Sequence, residues 1–239
     1  MSLRRVLAPA EMTARELARR PVALGLLTAL PLAFYGSAAN HSDHAAITGG
    51  LAMAFSMAGA SIFAALTARP VDQRLILAGY HPSELLLGRL LLLELFGLAV
   101  AAIFSVVIVL GTGPAHPWVL AGGVGLVAFT SVPFGLAVGA LAPHELEGVL
   151  ILIGVVGVQL TLESTQTIAK LLPFWGPQRL IQHSIEGDVA IGAALPVGVA
   201  YALALLGLAA YISHARAPSV ERPRTASSSL DWTPKSGTG

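Results

Sequence analysis

Glu94 is the one acid that falls clearly inside a long apolar run of this chain, and Arg89 stands five residues before it. On one helix, five residues advance about 7.5 Å and rotate about 500°, so the two side chains point about 140° apart and are poorly placed to pair. Glu94 then needs a partner on another helix, a water-filled cavity or a proton. An ionised carboxylate costs about 2.5–3.5 kcal/mol at a bilayer centre, and less near the interface. Glu94 reads either as a conformational latch or cavity residue, or as a structural hydrogen bond between helices.

Other residues touch on chemistry without completing it. Gly59-Ala-Ser61 is a faint version of an intramembrane serine nucleophile, but no histidine lies within an apolar run to serve as its base. His144-Glu145 lacks the second ligand that an H-E-x-x-H zinc site requires. No G-x-x-x-x-G-K-[ST] occurs, so the chain has no P-loop for ATP. With no cysteine there is no thiolate metal site and no Cys nucleophile. No catalytic residue, cofactor or metal ligand is nominated, and the chain reads as a non-enzyme.

The elements that hold these residues are membrane-length. The 239 residues are 55% hydrophobic and 11% charged, against about 25% charged in soluble domains. Mean hydropathy is +0.75. A formal net charge of +1 argues against nucleic-acid binding. Six runs approach the roughly 20 residues needed to cross a bilayer: 22–38, 47–67, 85–110, 119–141, 148–162 and 189–212. Arg4, Arg5, Arg15, Arg19 and Arg20 precede the first, Arg69, Arg74 and Arg89 flank the link between the second and third, and Arg216, Arg222, Arg224 and Lys235 follow the sixth. The alternate links hold Lys170 and Arg179. The positive-inside rule therefore puts both termini and the 69–89 link in the cytoplasm. An Arg-, Ala-, Gly- and Leu-rich composition fits a GC-rich bacterial genome, hence a bacterial cytoplasmic membrane. No cleavable signal peptide is expected.

The expected architecture is an all-α, multi-pass membrane protein with three parts: 1–21, 22–213 and 214–239. In the first, a four-and-three apolar spacing from Leu3 to Leu17 predicts an amphipathic helix on the inner leaflet, helped by Glu11–Arg15 and Glu16–Arg20 pairs. The second holds six spans. Between the fifth and sixth, 171–177 is apolar but broken by prolines, and 177–186 predicts a short helix with Pro177 at N1 and Gly187 at C′. Trp175 suits the headgroup region. This outer stretch reads as a partly re-entrant lid, with an ordinary interfacial loop as the alternative. Glu163 is expected exposed at the outer face. The third part is polar, Ser/Pro/Thr-rich and expected to be disordered.

One cytoplasmic segment stands out. Asp72, Gln73, Arg74, Leu75, Ile76, Leu77, Ala78 and Gly79 predict a short separate helix, with Asp72 as N-cap, Gly79 at C′ and Pro82 barring continuation. The triplet Leu75–Leu77 needs a burial partner, which is either the bilayer interface or a second protein. Gly135 and Gly139 form a small-xxx-small stripe that lets helices approach closely, and most such stripes pack within one chain.

The lead-in helix, two spans, the short cytoplasmic helix and the run Gly79-Tyr-His-Pro82-Ser-Glu-Leu85-Leu86-Leu-Gly88-Arg89 together resemble the permease subunit of type-2 ATP-binding-cassette (ABC) exporters. Leu172-Pro-Phe-Trp-Gly-Pro177 is similar to that family's outer loop before the last span. The resemblance covers 2–213. It implies that 72–79 is the coupling helix seated on a separate cytoplasmic P-loop ATPase, which alone binds ATP and Mg. Leu75, Ile76 and Leu77 would fill a pocket there, rimmed by Gln73 and Arg74. It also implies a second permease subunit, identical or a sister chain, within membrane lipids. The family's spans one, two and five line the transport path, which makes Phe34, Phe55 and Met57 candidate lining residues; packing or lipid contact is the simpler role for any one. A hydrophobic or amphipathic cargo fits the few aromatics. The alternative is a secondary carrier or channel with Glu94 as its ion or proton site.

Overall fold

Pro82 and Pro117 each stand in the first turn of a long helix, where the missing N–H was an orphan donor in any case. In the computed structural model, which describes residues 3–19, 21–39, 45–162, 166–188 and 190–216, such signals divide the chain into helices throughout. They are α1 (Leu3–Ala18), α2 (Pro21–Ala39), α3 (Ala45–Leu77), α4 (Pro82–Thr112), α5 (Pro117–Leu141), α6 (Glu145–Thr161), a 3-10 turn (Thr167–Leu171), α7 (Trp175–Glu186) and α8 (Ala194–Ala215). Among the described residues there is no strand. Four helices, α3, α4, α5 and α8, are long and apolar enough to cross a membrane, as in a membrane protein. Glu163, the Arg20 end of the Glu16–Arg20 pair and the tail beyond 216 lie outside the described residues.

The hub is α5. It packs against α3, α4, α7 and α8, and its apolar window is the most buried of the four long helices. Glycines set how close it comes to α3. A Cβ on Gly139 would stand 2.7 Å from that of Ala65, and one on Gly135 would run into the Ala58 carbonyl and to 2.6 Å from Ser61 Cβ. The small-residue stripe is thus used inside the chain. Met53, Met57, Ile62, Phe104, Leu152 and Phe174 fill the core around it.

Several expectations need correction. The 72–79 segment is not a separate helix. It forms the last turns of α3, a 33-residue helix that runs through Pro70. A proline forfeits one ladder bond, and a long helix packed on its neighbours tolerates that loss. Asp72 consequently has no helix N-terminus to cap. The C-terminal reading holds: Gly79 has φ +93°, Gly79 N–H bonds Ile76 O and Tyr80 N–H bonds Leu75 O, both at 3.0 Å, a Schellman closure.

The helix expected over 177–186 is α7, which starts at Trp175 rather than Pro177, while Gly187 ends it as expected with φ +77°. Trp175 is buried rather than displayed, with Lys170 Nζ 5.8 Å from its ring centroid. Leu180 and Ile181 are buried on one face, and Phe174 meets Phe134 edge-on at 5.6 Å. This packing, not the prolines alone, holds α7 on the bundle. The lead-in helix forms, with Glu11–Arg15 paired at 2.5 Å in the open. Its packing is mainly along α4.

Candidate functional site

The ends of α3, α5 and α8 and the starts of α4 and α6 meet at one end of the bundle, which carries the chain's organised charge. A tight turn makes α3 and α4 antiparallel, so residues equally far from it come together. Asp72 and Arg89 satisfy that condition. Arg89 Nη2 donates to both Asp72 carboxylate oxygens at 3.0 Å. Glu84, buried in the first turn of α4, accepts the His81 N–H at 3.2 Å and fixes the turn from the other side.

Two more arginines close the end of α5, whose last carbonyls have no partner within the helix. Arg69 of α3 donates to Gly139 O at 2.6 Å, Ala142 O at 2.5 Å and Pro143 O at 3.1 Å. Arg216, just past α8, donates to Leu141 O at 3.3 Å. Cations at a helix C-terminus also oppose its dipole. These contacts tie α3, α4, α5 and α8 into one braced end, around a cavity of about 280 Å³.

Beyond the brace the tip of α3 is open. Gln73, Arg74, Leu77, Ala78 and Gly79 are exposed, Leu77 by 68%, whereas Leu75 and Ile76 are half-buried. The apolar triplet is therefore not one surface: Leu77 projects and Ile76 faces the cavity.

Two predicted residues meet at a second place. Phe34 of α2 and Phe55 of α3 line an apolar groove of about 230 Å³ with Ile153, Val156 and Leu160 of α6. Met57 does not join them. It is 1% exposed, in the core on the side of Gly97, where an added Cβ would stand 3.5 Å from its sulfur.

Glu94 stands apart from both. Its two carboxylate oxygens are buried, and neither has a hydrogen-bond partner among the described residues. Arg89 is turned to Asp72, in keeping with the angle expected between Arg89 and Glu94. The Ser61 hydroxyl is buried and donates to Met57 O at 2.8 Å. His144 is the N-cap residue of α6, with Nδ1 3.7 Å from Glu147 Oε1.

Sequence reasoning treated Arg69, Arg89 and Arg216 as topology markers and missed them as braces. The available signal for one was the symmetry of Asp72 and Arg89 about the Gly79–Pro82 turn. A buried amide pair, Gln159 Nε2 to Gln178 Oε1 at 2.9 Å, joins α6 to α7 and was also missed. In comparisons with protein-family models and with curated proteins, nothing matches this chain.

Proposed function

We propose that this chain is the permease subunit of an ATP-driven ABC exporter in a bacterial cytoplasmic membrane. It crosses six times through α2, α3, α4, α5, α6 and α8, has both termini in the cytoplasm, and carries α7 as a partly re-entrant outer element. The observation that carries the proposal is the continuity of α3 from the bundle core to an exposed tip braced by Asp72 and Arg89. A short helix on a loose link would dissipate a push. A continuous helix, fixed laterally by an ion pair, passes it into the core.

A partner ATPase binding ATP and Mg would press on Gln73, Arg74 and Leu77. The glycine contacts at 135 and 139 pass that motion from α3 to α5. In the groove between α2, α3 and α6, Phe34 and Phe55 would meet a hydrophobic or amphipathic cargo beside a second permease subunit. The test is ATP-dependent efflux from vesicles holding this chain with the P-loop ATPase encoded beside its gene. Leu77→Asp is expected to abolish efflux and stimulated ATP hydrolysis while membrane insertion is unchanged. Full efflux by that variant would remove the coupling role.

A secondary carrier is the second reading, favoured by the buried, unpartnered carboxylate of Glu94. It requires transport that persists without any ATPase and is lost in Glu94→Gln.

A further inference from the structure

We infer that the cavity at the braced end binds a phosphate group, as carried by an anionic lipid headgroup. Its walls include Arg69, Arg89 and Arg216, with Asp72 as the one carboxylate among the lining residues. Three positive groups and one negative leave +2, which the C-terminal dipole of α5 lowers by about half a charge. Capping α5 and pairing Asp72 account for the bonds these arginines make, but not for the excess of charge. Like charges around one cavity repel, and an anion placed between them removes that cost.

Donors remain for it. A guanidinium offers five N–H groups in a fork suited to phosphate. Arg89 directs Nη2 to Asp72, and its buried Nε has no partner among the described residues. Arg216 makes one long bond, to Leu141 O at 3.3 Å. Arg69 is already engaged by three carbonyls and supplies charge rather than new bonds.

Shape and place narrow the ligand. Leu85, Leu86, Leu136 and Ile212 line the rest of the cavity, so it is polar at one side and apolar at the other. At about 280 Å³ it falls at the lower bound of small-molecule sites, roughly 300–1,000 Å³. That suits a headgroup and the start of its chains better than a whole drug-sized molecule. The cavity also sits where the apolar windows of α3, α5 and α8 give way to arginine. With the arginine-rich end cytoplasmic, this is the depth of inner-leaflet phosphates. The inference uses that topology and no part of the exporter reading.

The test is thermal unfolding of the full-length protein in dodecylmaltoside, followed by tryptophan fluorescence. Phosphatidylglycerol, phosphatidylcholine and inorganic phosphate are titrated separately. Phosphatidylglycerol is expected to raise the midpoint saturably, and phosphatidylcholine much less. Inorganic phosphate acting as well would show that the phosphate suffices; phosphatidylglycerol acting alone would assign the site to the lipid. Arg216→Gln is expected to raise the half-saturating phosphatidylglycerol about tenfold, as loss of one charged hydrogen bond does. Ser213→Asp, which places a carboxylate in the cavity without touching an arginine, is expected to abolish the shift. Equal shifts from the two lipids, or a phosphatidylglycerol shift that survives both substitutions, would overturn the site. Either variant alone serves if the other fails to fold.

Discussion

Asp72→Ala and Arg89→Met break one ion pair from opposite sides, and the structure makes their costs unequal. The Arg89 side chain is 9% exposed and that of Asp72 is 23%. Two charges about 4 Å apart attract by about 4 kcal/mol at an effective dielectric of about 20. Removing each from water costs several kcal/mol, so the intact pair is worth little as a whole. Breaking it costs more, because the surviving ion keeps its desolvation penalty and loses its compensation, about 3–5 kcal/mol when fully buried. Asp72→Ala strands the guanidinium, the more buried of the two, and is expected to cost about 3 kcal/mol. Arg89→Met retains the apolar stem and strands a carboxylate that cavity water can reach, for about 1–2 kcal/mol. The double variant is expected within about 1 kcal/mol of the parent, giving a coupling of at least about 3 kcal/mol. Reversible unfolding in lipid-free mixed micelles of dodecylmaltoside and dodecyl sulfate, read by far-UV circular dichroism, measures all four corners. Single costs that simply add, or a costlier Arg89→Met, would refute the reasoning.

Three further outcomes follow from the packing. Gly135→Ala sets a methyl against the Ala58 carbonyl and is expected to cost about 1–3 kcal/mol. Gly122→Ala on the same helix meets nothing within 4 Å and is expected to be neutral or stabilising by up to about 1 kcal/mol; the same unfolding assay separates them, and equal effects would sink the close-packing account. Gln178→Leu leaves Gln159 buried with neither amide atom bonded, costing about 1–3 kcal/mol, while the double Gln159→Leu/Gln178→Leu change is expected to recover most of that. Spin labels on Phe63→Cys and Leu77→Cys, in a chain with no native cysteine, are expected about 21 Å apart along a continuous α3. A broad or much shorter distance distribution would mean a break at Pro70.

What could be read from residues alone followed the strength of the local signal. Helices built on long apolar runs were legible, because burial in lipid or protein demands that every backbone group be bonded internally. The Gly79 and Gly187 ends were legible for a similar reason, as only glycine enters the left-handed region at little cost. The start of the 72–79 helix was misread because Asp72 is a plausible local N-cap. Tertiary contact overrode it: with α4 packed alongside and Arg89 available, continuing α3 and pairing Asp72 satisfied more groups than capping a new helix. Met57 falls in the core and away from Phe34 and Phe55, which a span number could not foretell because it carries no azimuth; Gly135 and Gly139 mark the face of α3 that looks at α5. The capping of α5 by Arg69 and Arg216 rests on residues some 70 positions apart, and no local spacing encodes it.

The placement of the braces bears on where this bundle can move. Asp72–Arg89, Arg69 on the α5 carbonyls and Arg216 on Leu141 all join the same four helix ends. A push at Leu77 would therefore be shared by α3, α4, α5 and α8, and relative motion among them would break these polar bonds. On the side facing α2 and α6, α3 presents an apolar groove wall. The contacts there are apolar and include the groove beside Phe34 and Phe55, with Gly59 leaving an added Cβ 3.7 Å from Leu152. Apolar contacts can slide and re-form at little cost, because they lack direction. The mechanically soft seam thus coincides with the groove, and a rigid displacement of the braced four-helix group would change the groove before it changed the core.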